Sequence, residues 1–326
     1  MRTREALHAY IEAQQQNICQ ITAKKDGKTV YRDCFHGFMP SDALHVMSVT
    51  KSVVSLLIGI AIGQGLIEGV HQRVLDFFPD YPVKRGEKTI QSVTVEHLLT
   101  MTAPYKYRSE PWTKICTSAD WTAATLDILG GKAGLTGAFR YSTLGVHILT
   151  GILKKVSGLS TVAYADRYLF APIGAAPHRA YEALTAEEHK AFILSKQPKE
   201  PIWFSDPQGV GTAGYGLCLS ADDLARIGQL CLDGGACGGR QVVPAAWILE
   251  STRPRCRCDE KFANMGYGYL WWTPEMGKPA YAALGNSGNV LYIDPVKNTV
   301  VAVTSTFRPT VLDRVAFIQQ YIEPML

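Results

Sequence analysis

No apolar run in this 326-residue chain is long enough to cross a bilayer, which takes about 20 consecutive apolar residues. The best candidate, residues 53–62, is too short and is broken by Gly59. The opening Met1-Arg2-Thr3-Arg4-Glu5-Ala6-Leu7 has no signal-peptide core, so a soluble, cytoplasmic protein with no membrane partner is expected. Charge of one sign is nowhere concentrated: 33 Lys and Arg face 29 Asp and Glu, a net charge of +4, scattered along the chain. The densest basic cluster, Arg253-Pro254-Arg255-Cys256-Arg257, is short and reads as a solvated loop, so no nucleic-acid partner is expected. The eight cysteines are dispersed, and the C-x-C at Cys256 and Cys258 has no second ligand pair nearby. Reduced thiols, no metal site and no cofactor are the expectation. No G-x-S-x-G occurs either, so the strand-to-helix nucleophile elbow is excluded.

What is present is a chain that is 47% hydrophobic, enough for a large core in one big domain or two intimate lobes. Residues 3–16 have a helical pattern. Residues 18–25 and 28–35 are alternating β-branched runs joined by Asp26-Gly27, a strong hairpin signal. The stretch 47–65 is apolar on nearly every side, so as a helix it must be buried all round, with Gly63 and Gly65 ending it. From 68 to 202 the pattern changes to short helices (95–101, 119–129, 144–156, 163–170) and polar loops. One long loop, 104–116, holds Tyr105, Tyr107 and Trp112 and is a candidate site wall.

After the glycine-rich segment 209–216, Ser220-Ala221-Asp222-Asp223 opens a helix running to 231. Strand signals return at 267–272, 281–284, 289–293 and 300–305, and an amphipathic helix over 309–322 closes the chain. The expected class is α+β: an antiparallel sheet built from both termini and flanked by helices, with an inserted, mostly helical subdomain. We read a single domain, 1–326, with subdomains at about 1–67 plus 216–326 (α/β) and 68–215 (helical).

Three short constellations carry chemistry. Ser48-Val49-Thr50-Lys51 puts a serine and a lysine one helical turn apart, at the positive end of the buried helix. That suits a nucleophile whose partner handles its proton, and it equally suits a plain helix N-cap. Tyr141-Ser142-Thr143 stands at a loop-to-helix junction, where the tyrosine either presents its hydroxyl to a cleft or is an ordinary buried ring. Gly285-Asn286-Ser287-Gly288-Asn289 separates two strand runs and reads either as a hairpin turn or as a strand edge lining a site.

Taken in order, the three resemble the motifs S-x-x-K, Y-x-N and K-T-G (His-x-Gly in many relatives) of the serine β-lactamase and penicillin-binding-protein superfamily. The resemblance is to its class C-like esterases and peptidases. Residues 93–102, 141–145 with 156–158, 216–225 and 266–272 are similar to further family signatures, so it spans most of the chain. It implies a β-lactamase/transpeptidase-like fold and an acyl-enzyme mechanism on a small-molecule substrate.

In that scheme Ser48 is the nucleophile, and Lys51 with Tyr141 is the proton-transfer pair. The implied substrate-binding and oxyanion residues are Thr143, Asn286, Ser287, Gly288 and Asn289. The oxyanion donors would be the N–H of Ser48 and, by analogy, that of Asn289. No metal or cofactor enters the scheme, and the oligomeric state is left open.

The chain departs from the family pattern twice. Thr143 keeps a hydroxyl where the motif has an amide, and Asn286 carries no charge where Lys or His is usual. The second departure argues against substrates bearing a carboxylate, as β-lactams and D-Ala-terminated peptides do. The expected activity is therefore hydrolysis of a small neutral ester or amide. The alternatives are a catalytically weakened sensor or binding module, or a true β-lactamase or D-Ala carboxypeptidase. Arg308 could restore the missing charge. A trypsin-like reading of Gly285–Asn289 fails because the middle of the chain is helical.

Overall fold

Both ends of the chain contribute strands to one antiparallel sheet in the computed structural model, which describes residues 3–183, 185–311 and 313–326. The strands are β1 (Ile18–Lys25), β2 (Lys28–Cys34), β3 (Cys256–Arg257), β4 (Gly266–Tyr267), β5 (Trp272–Thr273), β6 (Tyr281–Gly285), β7 (Asn289–Asp294) and β8 (Thr299–Ser305). They lie in the order β2-β1-β8-β7-β6-β5-β4-β3. The N-terminal hairpin thus joins the last strand, with Ala23 opposite Val301. Asp26 and Gly27 both have positive φ (50° and 75°), the turn whose twist matches that of the strands it joins.

The period of two decides which core each strand residue serves. Val290, Tyr292, Val301 and Val303 face helix α1 (Arg4–Gln14) and the C-terminal segment, packing with Leu7, Ile11, Phe317 and Ile318. Their neighbours Leu291, Ile293, Val300 and Ala302 belong to the larger core on the other face. There the sheet meets α4 (Ala221–Leu232) and α2 (Val49–Gly63), with α3 (His147–Ser157) packed on α2 behind it. Glycine lets α4 lie close: a Cβ at Gly228 would sit 2.4 Å from Val300 Cγ1. Every residue of α2 from Val49 to Ala61 is buried, as its all-round apolar pattern requires. None of the described elements between Gly65 and Gly216 joins the large sheet. The two-residue strands Leu44–His45 and Cys218–Leu219 pair on either side of that insertion.

Three sequence expectations are corrected. Residues 267–272 form two short strands, β4 and β5, rather than one. Leu270 is held at φ 63° by ties to other elements, its N–H donating to Leu99 O (2.9 Å) and its carbonyl accepting from Ser52 Oγ (2.6 Å). The closing segment is α-helical only over Arg314–Phe317, capped by Asp313, and its turns then widen as far as Ile322. Leu312, within the expected helix, lies outside the described residues. The loop 104–116 ends in a short helix, Trp112–Cys116, started by Pro111. No described helix is long and apolar enough to span a membrane.

Candidate active site

Ser48 occupies the N-cap position of α2, yet no N–H of the helix uses its hydroxyl. The hydroxyl is free for other partners: it accepts from Lys51 Nζ at 3.0 Å, lies 3.5 Å from Gly214 O, and acts on the nearby Tyr141 phenol. The approach to it is strained. Met47 adopts φ 53°, a cost of roughly 1–3 kcal/mol for a residue with a side chain. Thr50 Oγ1 holds that conformation by donating to Met47 O (2.7 Å) and accepting from Leu217 N (3.3 Å).

Lys51 is 1% exposed. Its second acceptor is the carbonyl of Gly214, at 2.5 Å, and its Nζ lies 4.8 Å from the centre of the Tyr141 ring. Burial pulls the amine down to about 7, and the Glu110 carboxylate opposes that fall. At neutral pH a large fraction of Lys51 is therefore a free amine able to take a proton. Gly214 can approach because it lacks a side chain: a Cβ there would lie 2.2 Å from Thr143 O. The next residues are pinned by His45, whose Nε2 accepts from Gly216 N (2.9 Å), and burial holds that ring down at about 3, a neutral acceptor.

Tyr141 is half-buried, with its ring against Phe262 (5.4 Å) and stacked on Trp272 (5.9 Å, 27°). Burial raises its phenol above the usual 10, the Ser48 hydroxyl lowers it less, and Glu110 raises it further. The phenol therefore stays protonated at neutral pH. Just after it, Glu110 Oε1 accepts from Ser142 Oγ (2.9 Å) and Leu144 N (2.8 Å). Thr143 packs against Gly214, so a backbone carbonyl stands beside Lys51 where an amide side chain was the family expectation.

The third constellation is a hairpin turn between β6 and β7, and most of it faces away from Ser48. Ser287 Oγ donates to Arg308 O (3.1 Å) and accepts from Arg308 N (2.9 Å). Gly288 lies on Arg314, and the fully buried Asn289 side chain binds Ser305 N (2.9 Å) and Asn286 O (3.0 Å). Asn286 itself is exposed, as is Arg308. The residue of this hairpin that meets the nucleophile segment is Gly285: a Cβ there would be 2.4 Å from Val46 O and 3.2 Å from Met47 Cβ.

The structure thus brings Ser48, Lys51 and Tyr141 together, with Thr143 behind Gly214, and sets Ser287, Gly288 and Asn289 into the scaffold of the turn. Sequence reasoning missed Gly214 and Glu110, and placed Gly285 in the third constellation without assigning it a role. The glycine-rich run around Gly214 signalled close backbone approach, and Glu110 lay in a loop already marked as a wall. Among the described residues no group of three or more His, Cys, Asp or Glu could hold a metal ion. A cavity of about 820 Å³, lined by Trp112, Trp121, His189, Phe204 and Leu194 among others, lies beyond Tyr215, whose ring contacts Trp112 and His189; Ser48, Lys51 and Tyr141 do not line it.

A serine hydroxyl with a desolvated amine one turn away and a protonated tyrosine beside both is an arrangement in which a proton can leave the serine. The beta-lactamase family model matches residues 20–320, and the chain belongs to that family. It is 27% identical to the 6-aminohexanoate-dimer hydrolase of Paenarthrobacter ureafaciens over 83% of this chain and 68% of that protein. In fold it is similar to a family VIII carboxylesterase (TM-score 0.70, 18% identity, 97% of this chain and 95% of that one). It is also similar to the penicillin binding protein from Bacillus halodurans (TM-score 0.72, 18% identity, 98% and 99%).

Proposed function

We propose that the protein is a serine acyl hydrolase that cleaves small neutral esters or amides through an acyl-enzyme on Ser48. One observation carries the reading. The Ser48 hydroxyl sits at a helix N-cap but is turned to a buried amine 3.0 Å away, held at about 7 by burial.

In the first step Lys51 Nζ takes the Ser48 proton as Oγ bonds to the carbonyl carbon. The negative charge that develops on the carbonyl oxygen falls to the N–H of Ser48, at the positive end of α2, and to an N–H at the Gly285–Asn286 end of β6. Collapse breaks the bond to the leaving alcohol or amine, which takes a proton from Tyr141, itself reprotonated by Lys51. Water then attacks the ester on Ser48, giving its proton to the same pair, and as the acyl–Oγ bond breaks the pair returns that proton to Ser48 Oγ and the acid is released.

The likeness to a carboxylesterase supports esters, and the likeness to a 6-aminohexanoate-dimer hydrolase supports amides. The uncharged Asn286 supports neutral substrates. The test is multiple turnover of p-nitrophenyl acetate and of a panel of neutral amides, by wild type and Ser48→Ala. Turnover lost in the variant is the expected result. Stoichiometric acylation without turnover would make the chain a binding module, and fast nitrocefin hydrolysis would make it a β-lactamase.

A further inference from the structure

We propose that Glu110 is a positioning residue for this site, fixing the chain on either side of Tyr141. The inference rests on the acyl-hydrolase reading above.

Tyr141 needs such a support because nothing regular holds it. Residues 138–142 have no assigned secondary structure, and α3 begins only at His147. One oxygen of Glu110 does the work of a helical ladder there, taking the Ser142 hydroxyl and the Leu144 N–H. Ser142, fully buried, passes the constraint on: its Oγ accepts from Gly145 N (2.8 Å) and pairs with Tyr107 OH (2.7 Å). On the other side of Tyr141, Arg140 is stitched to the same loop, its guanidinium donating to the carbonyls of Tyr105 and Tyr107. Both flanks of the catalytic tyrosine are therefore tied to residues 105–110. That anchoring calls only for an acceptor.

The charge is a separate contribution. Lys51 touches Ser48 on its own helix, the Tyr141 ring and the Gly214 carbonyl, and the charge that acts on it from further off is that of Glu110. Of these only Glu110 is anionic, so it favours the ammonium form and keeps the amine from falling as far as burial alone would take it.

Two substitutions separate the roles. Glu110→Gln keeps an acceptor oxygen for Ser142 and Leu144 and removes the charge. Glu110→Asp keeps the charge and draws the oxygen back by one methylene. The readout is the pH profile of kcat/KM on p-nitrophenyl acetate, with Ser48 labelling by a fluorophosphonate alongside.

Glu110→Gln should hold its high-pH plateau within about threefold while the acidic limb moves to lower pH, raising the relative rate on that limb about threefold. Glu110→Asp should leave the limb in place and lose about tenfold on the plateau. A Glu110→Gln limb that stays put or moves up overturns the charge role, and a Glu110→Asp plateau equal to wild type overturns the positioning role. If wild type neither turns over ester nor labels at Ser48, the acyl-hydrolase reading itself has failed, a result distinct from either.

Discussion

The α2 end of the candidate site and the β6–β7 hairpin treat their polar side chains in opposite ways. At the α2 end, Ser48, Lys51 and Tyr141 are partnered with one another and with the Gly214 carbonyl, and their groups are held in protonation states suited to proton transfer. At the β6–β7 hairpin, Ser287, Gly288 and Asn289 are engaged by Arg308, Arg314 and Ser305, leaving Asn286 exposed and uncharged. The contrast separates reaction from selection. In the proposed mechanism the groups that move a proton are side chains, while the hairpin contributes mainly backbone, brought close by Gly285. Side-chain substitutions at the first end should therefore cost rate, whereas truncating the side chains of Ser287 or Asn289 should cost stability.

The largest effect is expected for Ser48→Ala, which should lower kcat/KM on a p-nitrophenyl ester by at least about a thousandfold with no loss of Tm. Lys51→Met should be comparably inactive yet more stable, because it replaces a buried amine by an apolar chain of similar shape. The sign follows from linkage. The Lys51 amine is lowered from 10.5 to about 7 on folding, so between those values the unfolded chain holds more protons than the native one. The penalty is full below pH 7 and fades as pH rises toward 10.5. Thermal melts should show a Lys51→Met advantage of a few kcal/mol at pH 6, mostly gone by pH 10. Tyr141→Phe should cost about a hundredfold in kcat while keeping its stack on Trp272, visible as an unchanged Tm.

Smaller effects belong to the hairpin. Gly285→Ala should lower kcat about tenfold, since its Cβ would push β6 off Val46 and Met47. Ser287→Ala should leave KM alone and cost about 1–2 kcal/mol in denaturant melts, from its two lost bonds to Arg308. A Ser287→Ala variant that lost activity at unchanged stability would break the contrast between the two ends.

How much of this was legible in the sequence differs between the same two regions. The serine and lysine could be found because helical spacing puts them on one face, and the apolar run behind them forces that helix into the core. The sheet completed by both termini was legible too, from period-two runs and the Asp26-Gly27 turn. The partner of Lys51 was not: it is a backbone carbonyl 163 residues away, and a carbonyl has no residue type. Glu110 was missed because an acidic residue in a loop is ordinarily solvated, and only the fold sets it under Ser142 and Leu144. The hairpin was ambiguous in principle, since Asn, Ser and Gly serve tight turns and ligand contacts alike. Leu270 split an expected strand because its conformation is set by Leu99 and Ser52, distant in sequence.

The central claim is that Ser48 is a nucleophile activated by a desolvated Lys51. Peptide-mapped mass spectrometry of fluorophosphonate labelling, timed across pH 5 to 9, tests it directly. The account predicts an adduct on Ser48 whose formation rate rises about tenfold per pH unit below 7 and levels off above it. Folded protein that takes no label at Ser48, or labels there at a rate indifferent to pH, would contradict it.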